Sequence, residues 1–427
     1  MLDINYIKAN TSKVVEGLKK KGWDVDFEPV LLLSEKRKEI IAQVEQLKAE
    51  KNKLSASVPI VKKQGGNIEE IFAKVKQLNV DIDAMDAELA TIEAQIFDFM
   101  AVLPNIPDED LLPGEKENNQ AIYTYGKKPE FDFEPKNHVD LCESLGLIDY
   151  ARASKLSGRG TWIYTGLGAR LEWAILNYLI SEHIKAGYEF ILPPHILNEE
   201  SGYCAGQFPK FKEDVFWLKD EEPRKFILPT AETALVNLYR DEIISEDELP
   251  KKFFAYTPCY RNEAGSYRTE ERGMIRGYQF NKIEMFVYAT EKNNKQMFEE
   301  LCRRAEELVE KLGLHFQTSK LAAGDCSHSM ARTYDIEVWI PSMGIYKEVS
   351  SASTANDYQA RRGNIRYRDK ETGKIKFCHT LNASGLATSR LIPAIVEQYQ
   401  NADGSVTVPE VLVPFMGGIT KLEPIKH

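Results

Sequence analysis

No two cysteines of this sequence stand at the Cys-x-x-Cys spacing of a zinc knuckle or a redox couple. The six, Cys142, Cys204, Cys259, Cys302, Cys326 and Cys378, are scattered, which predicts reduced thiols and no disulfide frame. Histidine is scarce: the seven present show no ligand spacing, so no zinc is expected. No apolar run reaches the roughly 20 residues of a membrane-spanning helix. The opening MLDINYIKANTSK lacks the basic-then-apolar layout of a signal peptide, so a cytoplasmic protein without a membrane partner is expected. Neither G-x-x-x-x-G-K-[ST] nor G-x-G-x-x-G occurs, which removes the two common phosphate loops. A basic excess is also missing. The net charge of −10 argues against indiscriminate nucleic-acid binding, and any RNA partner needs a local basic surface.

What is present is an ordinary globular composition, 43% hydrophobic and 28% charged, with room in 427 residues for two or three domains. Asp3, and Asn10 or Thr11, are candidate caps for short helices at the start. A seam follows. Ile68, Ile71, Val75, Leu78, Ile82, Met85, Leu89, Ile92, Ile96 and Phe99 recur at steps of three and four. That alternation predicts a coiled coil. Ile40, Val44, Leu47, Lys51, Leu54, Val58 and Val61 form a matching seam before it. Gly65-Gly66 between them permits a reversal. The reading is an antiparallel helical hairpin of about 50 Å at 1.5 Å per residue, with a kink or change of pitch at Pro59. Its charges are sorted: Lys48, Lys51, Lys53, Lys62, Lys63, Lys74 and Lys76 oppose only three glutamates towards the tip, whereas residues 81–98 carry six acids and no base. A basic distal half on an acidic protein suits a directed RNA contact, although solvated coiled-coil faces also carry mixed charge.

A Pro-, Asn- and Glu-rich stretch (LPNIPDEDLLPGEKENNQ) divides the chain. The domains are set at 1–110, with an arm over about 30–100, a linker at 111–130, and 131–427. The last part mixes strands and helices without βαβ alternation, with strands at 190–192, 253–260, 274–287, 334–340, 345–351 and 376–381. Helices are placed at 171–186, 231–243, 292–312 and 385–400. The fold class is α+β: an antiparallel sheet flanked by helices, preceded by the coiled-coil arm. The segment TPCYRNEAGSYRTEERGMIRGYQFNKIE at 257–284 reads as two strands around a polar loop. Arg276, Phe280 and Glu284 differ by four and so share a strand face. With Arg261 opposite, a cation, an aromatic plane and a carboxylate suit a nucleotide. Arginine holds phosphate, and Phe280 under a cation sandwiches a base. A charged hairpin with a salt-bridge ladder is the plainer alternative.

This segment resembles motif 2 of the class II aminoacyl-tRNA synthetases, and among them the seryl-tRNA synthetases of bacterial type. The resemblance extends over essentially the whole chain through MLDINYIKAN, GQFPKF at 206–211, LPTAE at 228–232, TYDIEVW at 333–339, EVSSAS at 348–353 and TLNASGLATSR at 380–390. It implies activation of L-serine with ATP and Mg²⁺ to seryl-adenylate, then transfer to tRNA(Ser) and tRNA(Sec), by a homodimer. The helix–strand–Pro193 unit resembles motif 1, which builds the dimer interface in that family. The arm there grips the tRNA. The lysines of its basic half are the tRNA-binding candidates.

Residue by residue, the resemblance implies ATP contacts from Arg261, Asn262, Glu263, Arg276, Phe280, Glu348, Val349, Ser350, Ser351 and Arg390. Arg261 would lie between the serine carboxylate and the α-phosphate, and Arg390 would hold the γ-phosphate. Glu263 would accept from the adenine amino group, with Phe280 stacking on the ring. Glu348 and Ser351 are the Mg²⁺ pair. Thr230, Ala231, Glu232, Arg261, Glu284 and Ser384 would receive serine, with Ser384 at its hydroxyl. Thr230 and Ser384 are also credible helix caps. The sequence departs from the family at 267–271 (Tyr-Arg-Thr-Glu-Glu), a loop that meets the tRNA, at Ala352 and at Ser389. A non-catalytic paralogue would have lost an ATP arginine or a serine acceptor, and a carrier-protein ligase would lack the arm. An antibiotic-resistant duplicate remains open.

Overall fold

The computed structural model describes residues 1–219, 222–262 and 273–425. Glu263 and the loop at 267–271 lie outside these. The chain divides into two units, one of residues 2–15 and 24–103, the other of residues 1, 16–23 and 104–427.

In the smaller unit, Asp3 caps a short helix by accepting from the Asn5 N–H at 2.8 Å. The arm is helix α1 (Glu28–Lys63) and helix α2 (Ile68–Ala101). Every seam position read from the sequence is buried or half-buried. Ile40, Val44 and Ile92 form its packed centre, flanked by Leu33, Met85, Leu89 and Ile96. Helix α1 runs on through Pro59. The proline stands in the last two turns, where few bonds depend on it. Gly65 turns the chain at φ +70°, and Asn67 caps α2 by accepting from the Glu69 N–H at 3.0 Å.

The arm's charge separation is less complete than the sequence suggested. Lys36, Arg37 and Lys48 of α1 pair across the hairpin with Glu88, Glu93 and Asp86 of α2 at 2.7, 2.7 and 3.3 Å. These pairs offset much of the acidic run. Lys51 donates to Asn79 at 3.1 Å. Among the described residues, Lys53, Lys62, Lys63, Lys74 and Lys76 make no ion pair and are exposed. The free basic charge is therefore narrower than seven lysines and sits at the tip.

The larger unit is built on an eight-stranded sheet. Its strands are β1 (Gln120–Tyr125), β2 (Glu189–Ile191), β3 (Lys251–Tyr260), β4 (Gln279–Ala289), β5 (Phe316–Lys320), β6 (Arg332–Ile340), β7 (Ile345–Asn356) and β8 (His379–Ala387). They lie in the order β1-β5-β6-β7-β8-β4-β3-β2. All neighbours are antiparallel except β2 and β3. Strand β1 falls in the expected linker. Its edge position, paired only with β5, asks for little apolar sequence. Helices α3 (Gly166–Lys185), α5 (Asn294–Lys311) and α6 (Thr388–Gln398) cover one face with the main core, into which Ile283, Met285, Val349, Ala352 and Leu381 point. Helix α4 (Glu232–Leu235) is four residues long, shorter than the expected 231–243. Tyr239, in the expected remainder, packs instead as part of a second core around Phe253, Phe286 and Tyr288. Strand β8 continues to Ala387, so the last helix starts at Thr388 and not at 385.

Candidate active site

The larger unit encloses a cavity of about 500 Å³ on the sheet face away from the main core. A recess of about 50 Å³ adjoins it. Strand alternation decides which side chains reach it. On β4, Ile283, Met285 and Val287 go to the core, whereas Lys282 and Glu284 line the cavity. Glu284 stands directly opposite Ser384 of β8, and both line the cavity. Ser384 is therefore a strand residue; its reading as a helix cap is excluded. Arg276 also lines the cavity, but from before β4 begins at Gln279. The periodicity used to align it with Phe280 does not apply there, because the chain bends through 273–278.

At the deep end, polar groups hold one another. Asn382 donates from Nδ2 to Glu284 Oε1 at 3.0 Å and to Glu232 Oε2 at 3.3 Å. Gln359 donates to Glu232 Oε1 at 2.7 Å and accepts from the Thr380 hydroxyl at 2.6 Å. Lys282 Nζ lies 2.5 Å from Glu284 Oε2 and donates to Thr230 Oγ1 at 2.8 Å. Thr230 also accepts from the Glu232 N–H at 3.3 Å, but the cap position of that helix is Ala231, so Thr230 is a cavity-lining residue next to the cap and not the N-cap itself. Burial opposes the Lys282 ammonium, but Glu284 beside it keeps the pKa above the ordinary lysine value. Burial, and after it the charge of Glu284, pushes Glu232 up to about 7. The two carboxylates thus differ: Glu284 has a cation in direct contact, whereas the side-chain hydrogen-bond donors to Glu232 among the described residues are amides. Ala231 is fully buried in the second core and its side chain does not line the cavity.

The cations come from two element ends. Arg261 follows β3; its backbone N–H donates to the Tyr278 carbonyl at 2.9 Å and its Nε to the Pro229 carbonyl at 3.4 Å. Its guanidinium sits 5.1 Å from the Phe280 ring centroid. That contact occupies a ring face, so a base stacking there displaces Arg261 or takes the other face. Arg390, in the first turn of α6, donates to the carbonyls of Ile275 at 3.2 Å and Glu348 at 2.9 Å. It lines the recess together with Arg261, Arg276 and Phe280. Asn262 lies off the cavity, its amide donating to the Glu213 carbonyl at 3.2 Å.

Strand β7 supplies Glu348 and Ser351 to the cavity. Val349 is buried in the main core. Ser350 is buried with its hydroxyl donating to the Ser384 carbonyl at 2.6 Å. Only backbone groups of Val349 and Ser350 remain for a ligand. Asp335 of β6 pairs with Ser351 and lines the cavity too. Burial and then the charge of Glu348 raise its pKa well above the usual carboxylate range, and its Oδ1 has no hydrogen-bond partner among the described residues. Glu348, Ser351 and Asp335 offer oxygen donors alone, the set a hard divalent cation takes. Among the described residues no group of three or more His, Cys, Asp or Glu is arranged to hold a metal.

Sequence reasoning missed Lys282, Asp335, Gln359 and Asn382. Lys282 shares a face at two-residue spacing with Glu284, a signal that was available; Asp335 has no candidate site residue at that spacing. Gln359 and Asn382 carried none, since an amide's role depends on what folds beside it.

A mostly antiparallel sheet with three arginines and oxygen donors around one cavity and its recess defines a class II synthetase core. The family model described as tRNA synthetase class II core domain (G, H, P, S and T) matches residues 216–399, and the seryl-tRNA synthetase N-terminal domain matches residues 1–107. The chain is 60% identical to serine–tRNA ligase 2 of Clostridium acetobutylicum over 98% of its length and 99% of that protein's. It is 43% identical, with the same coverage, to the serine–tRNA ligase of Thermodesulfovibrio yellowstonii. A seryl-tRNA synthetase from Pyrococcus horikoshii, solved with ATP, superimposes with a TM-score of 0.90 at 31% identity over the whole of both chains. The chain belongs to the seryl-tRNA synthetase family.

Proposed function

We propose that the cavity is where this serine–tRNA ligase joins serine to ATP as seryl-adenylate, with Glu232 receiving the serine ammonium and Arg261 its carboxylate. The observation that carries this is the asymmetry of the carboxylates. Glu284 is already matched by Lys282 at 2.5 Å, whereas Glu232, raised to about 7, makes no direct ion pair among the described residues and is left to meet an amine. The serine carboxylate attacks the α-phosphorus and pyrophosphate leaves. Two anions meet, so preorganised positive charge is the main requirement. Arg261 supplies it beside Phe280, and Arg390 holds the outer phosphates from the recess. Ser384, opposite Glu284, is placed for the substrate hydroxyl. An analogue without the hydroxyl leaves the Ser384 side chain without that contact, which supports selection by binding alone.

Glu348, Ser351 and Asp335 would hold Mg²⁺. When bound, the ion neutralises phosphate charge. The tip lysines Lys53, Lys62, Lys63, Lys74 and Lys76 are the phosphate contacts for tRNA(Ser), with Lys48 and Lys51 already engaged within the arm. A homodimer through α3, β2 and the following segment is supported by exposed Trp173, Ile184, Phe190, Leu192 and Ile196. Exposed apolar side chains on an edge strand and on the elements that flank it in sequence suit a partner surface. Six buried free thiols suit the reducing cytoplasm, and no helix among the described residues is long and apolar enough to cross a membrane.

The test is serine-dependent exchange of pyrophosphate into ATP, followed by charging of transcribed tRNA. Exchange that depends on another amino acid, or on none, overturns the reading.

A further inference from the structure

One wall of the cavity is a turn, not a strand. Ser327, Ser329 and Met330 line it; Ser327 O accepts the turn's own Met330 N–H at 2.9 Å, but such a turn has no sheet ladder to satisfy its other carbonyls. Four in succession are taken by two residues from far away in sequence. Lys21 Nζ donates to Ser327 O at 3.0 Å and to Met330 O at 2.7 Å. Asn105 donates from its backbone N–H to His328 O at 2.8 Å and from Nδ2 to Ser329 O at 3.0 Å. Its second amide hydrogen goes to Ala355 O at 2.8 Å, and its Oδ1 accepts from the Ile106 N–H at 2.9 Å. Every polar atom of the Asn105 side chain is spent. Lys21 is 8% and Asn105 5% exposed. Trp23 adds an edge contact to His328 at 5.7 Å between ring centroids.

A buried lysine against carbonyls alone is an expensive fastening. Burial brings the Lys21 pKa down to about 8. The place of the two residues in the chain supplies an explanation. The smaller unit's arm leaves the larger unit between Trp23 and Asp24 and returns between Leu103 and Pro104. Lys21 and Asn105 are thus among the last and first residues of the larger unit on either side of the arm. These two chain segments are also tied together: Lys20 Nζ donates to the Glu109 carbonyl at 2.6 Å, and the Gly114 N–H to the Lys20 carbonyl at 3.2 Å.

We propose that Lys21 and Asn105 are positioning residues that hold the Ser327–Met330 wall of the cavity and pass occupancy of the arm to it. Neither touches the reacting atoms. RNA bound to the arm acts on the chain at its two roots, the roots carry the donors, and the donors set where the wall stands. The proposal rests on the reading of the cavity as the adenylate site.

The experiment uses the full chain with Lys21→Met, which keeps length and removes both donors, and Asn105→Ala. Val406→Ala, a core truncation on a short strand, is the control for lost stability. Serine-dependent pyrophosphate exchange is measured with and without a tRNA whose terminal ribose lacks both hydroxyls and so cannot be charged. In the wild type, this tRNA should shift KM for serine or ATP about fivefold or more. Lys21→Met and Asn105→Ala should raise KM without tRNA about tenfold, because a wall displaced by an ångström costs that much or more, and should lose the tRNA response. Val406→Ala should keep both KM and the response. The proposal is overturned if either variant keeps wild-type KM values and response, if the wild type does not respond to tRNA, or if Val406→Ala behaves as they do. Absence of serine-dependent exchange in the wild type would remove the adenylate reading and the proposal with it.

Discussion

Glu348 and Ser351 stand three residues apart on one strand and line the same cavity. A regular strand sends such residues to opposite faces. The register explains the exception: Ile336 pairs with Ser350 and Glu337 with Glu348, so Val349 has no partner on β6. One extra residue in the ladder is a β-bulge, and it restores parity beyond it. Val349 and Ser350 are both buried, and the polar pair comes together on the cavity side.

If this pair holds the cation, Glu348→Gln and Ser351→Ala should each leave the protein folded. Each should raise the Mg²⁺ concentration for half-maximal pyrophosphate exchange by about tenfold or more. A Mg²⁺ titration superimposable on the wild type would show that the bulge serves another purpose.

Arg261→Ala should nearly abolish adenylate formation while the melting temperature stays close to wild type. Among the described residues, the side chain gives the fold one long hydrogen bond, to Pro229 at 3.4 Å, and its contact with Phe280. Loss of one preorganised cation at a developing charge costs about 3–4 kcal/mol in the barrier. Exchange within a few-fold of the wild type would remove Arg261 from the mechanism.

Glu232 sets a pH dependence. Its pKa, about 7 in the folded protein, is above the ordinary value, so the folded state takes up a proton that the unfolded state releases. The stability this contributes is complete below the ordinary carboxylate range and is lost as pH rises through about 7. Binding has the opposite sign, because the ammonium of serine needs the ionised carboxylate. KM for serine should therefore rise as pH falls below 7. Glu232→Gln should bind serine poorly with little pH dependence, yet be more stable than the wild type at pH 8 by on the order of 1–3 kcal/mol. A KM for serine that is flat between pH 6 and 8 would assign the ammonium elsewhere.

The arm is tested by neutralising Lys62, Lys63, Lys74 and Lys76 to Gln. These side chains are exposed, so folding and serine activation should be unaffected. KM for tRNA should rise and its dependence on salt should flatten, since each phosphate contact removed takes one released counterion with it. Unchanged charging at moderate salt would make the tip an architectural element.

The arm was legible residue by residue, because a coiled coil is a local object. Its seam repeats along the chain, and the partner helix lies one short turn away. The motif 2 strands and the cavity faces of Glu284 and Phe280 were legible for the same reason: a strand's period is two wherever it is regular. Regularity fails at Arg276, which precedes β4, and at Val349, where a bulge shifts the phase. It fails again at the end of β8, which runs to Ala387 and leaves Ser384 on a strand. No local pattern announces these, because a bulge is defined by the neighbouring strand and not by the strand that carries it. The separation of Glu232 from Glu284 was likewise invisible. Two glutamates 52 positions apart read alike in a sequence; only the fold gives one a lysine and the other two amides, and in a desolvated site that difference in partners determines which carboxylate is left for a substrate cation.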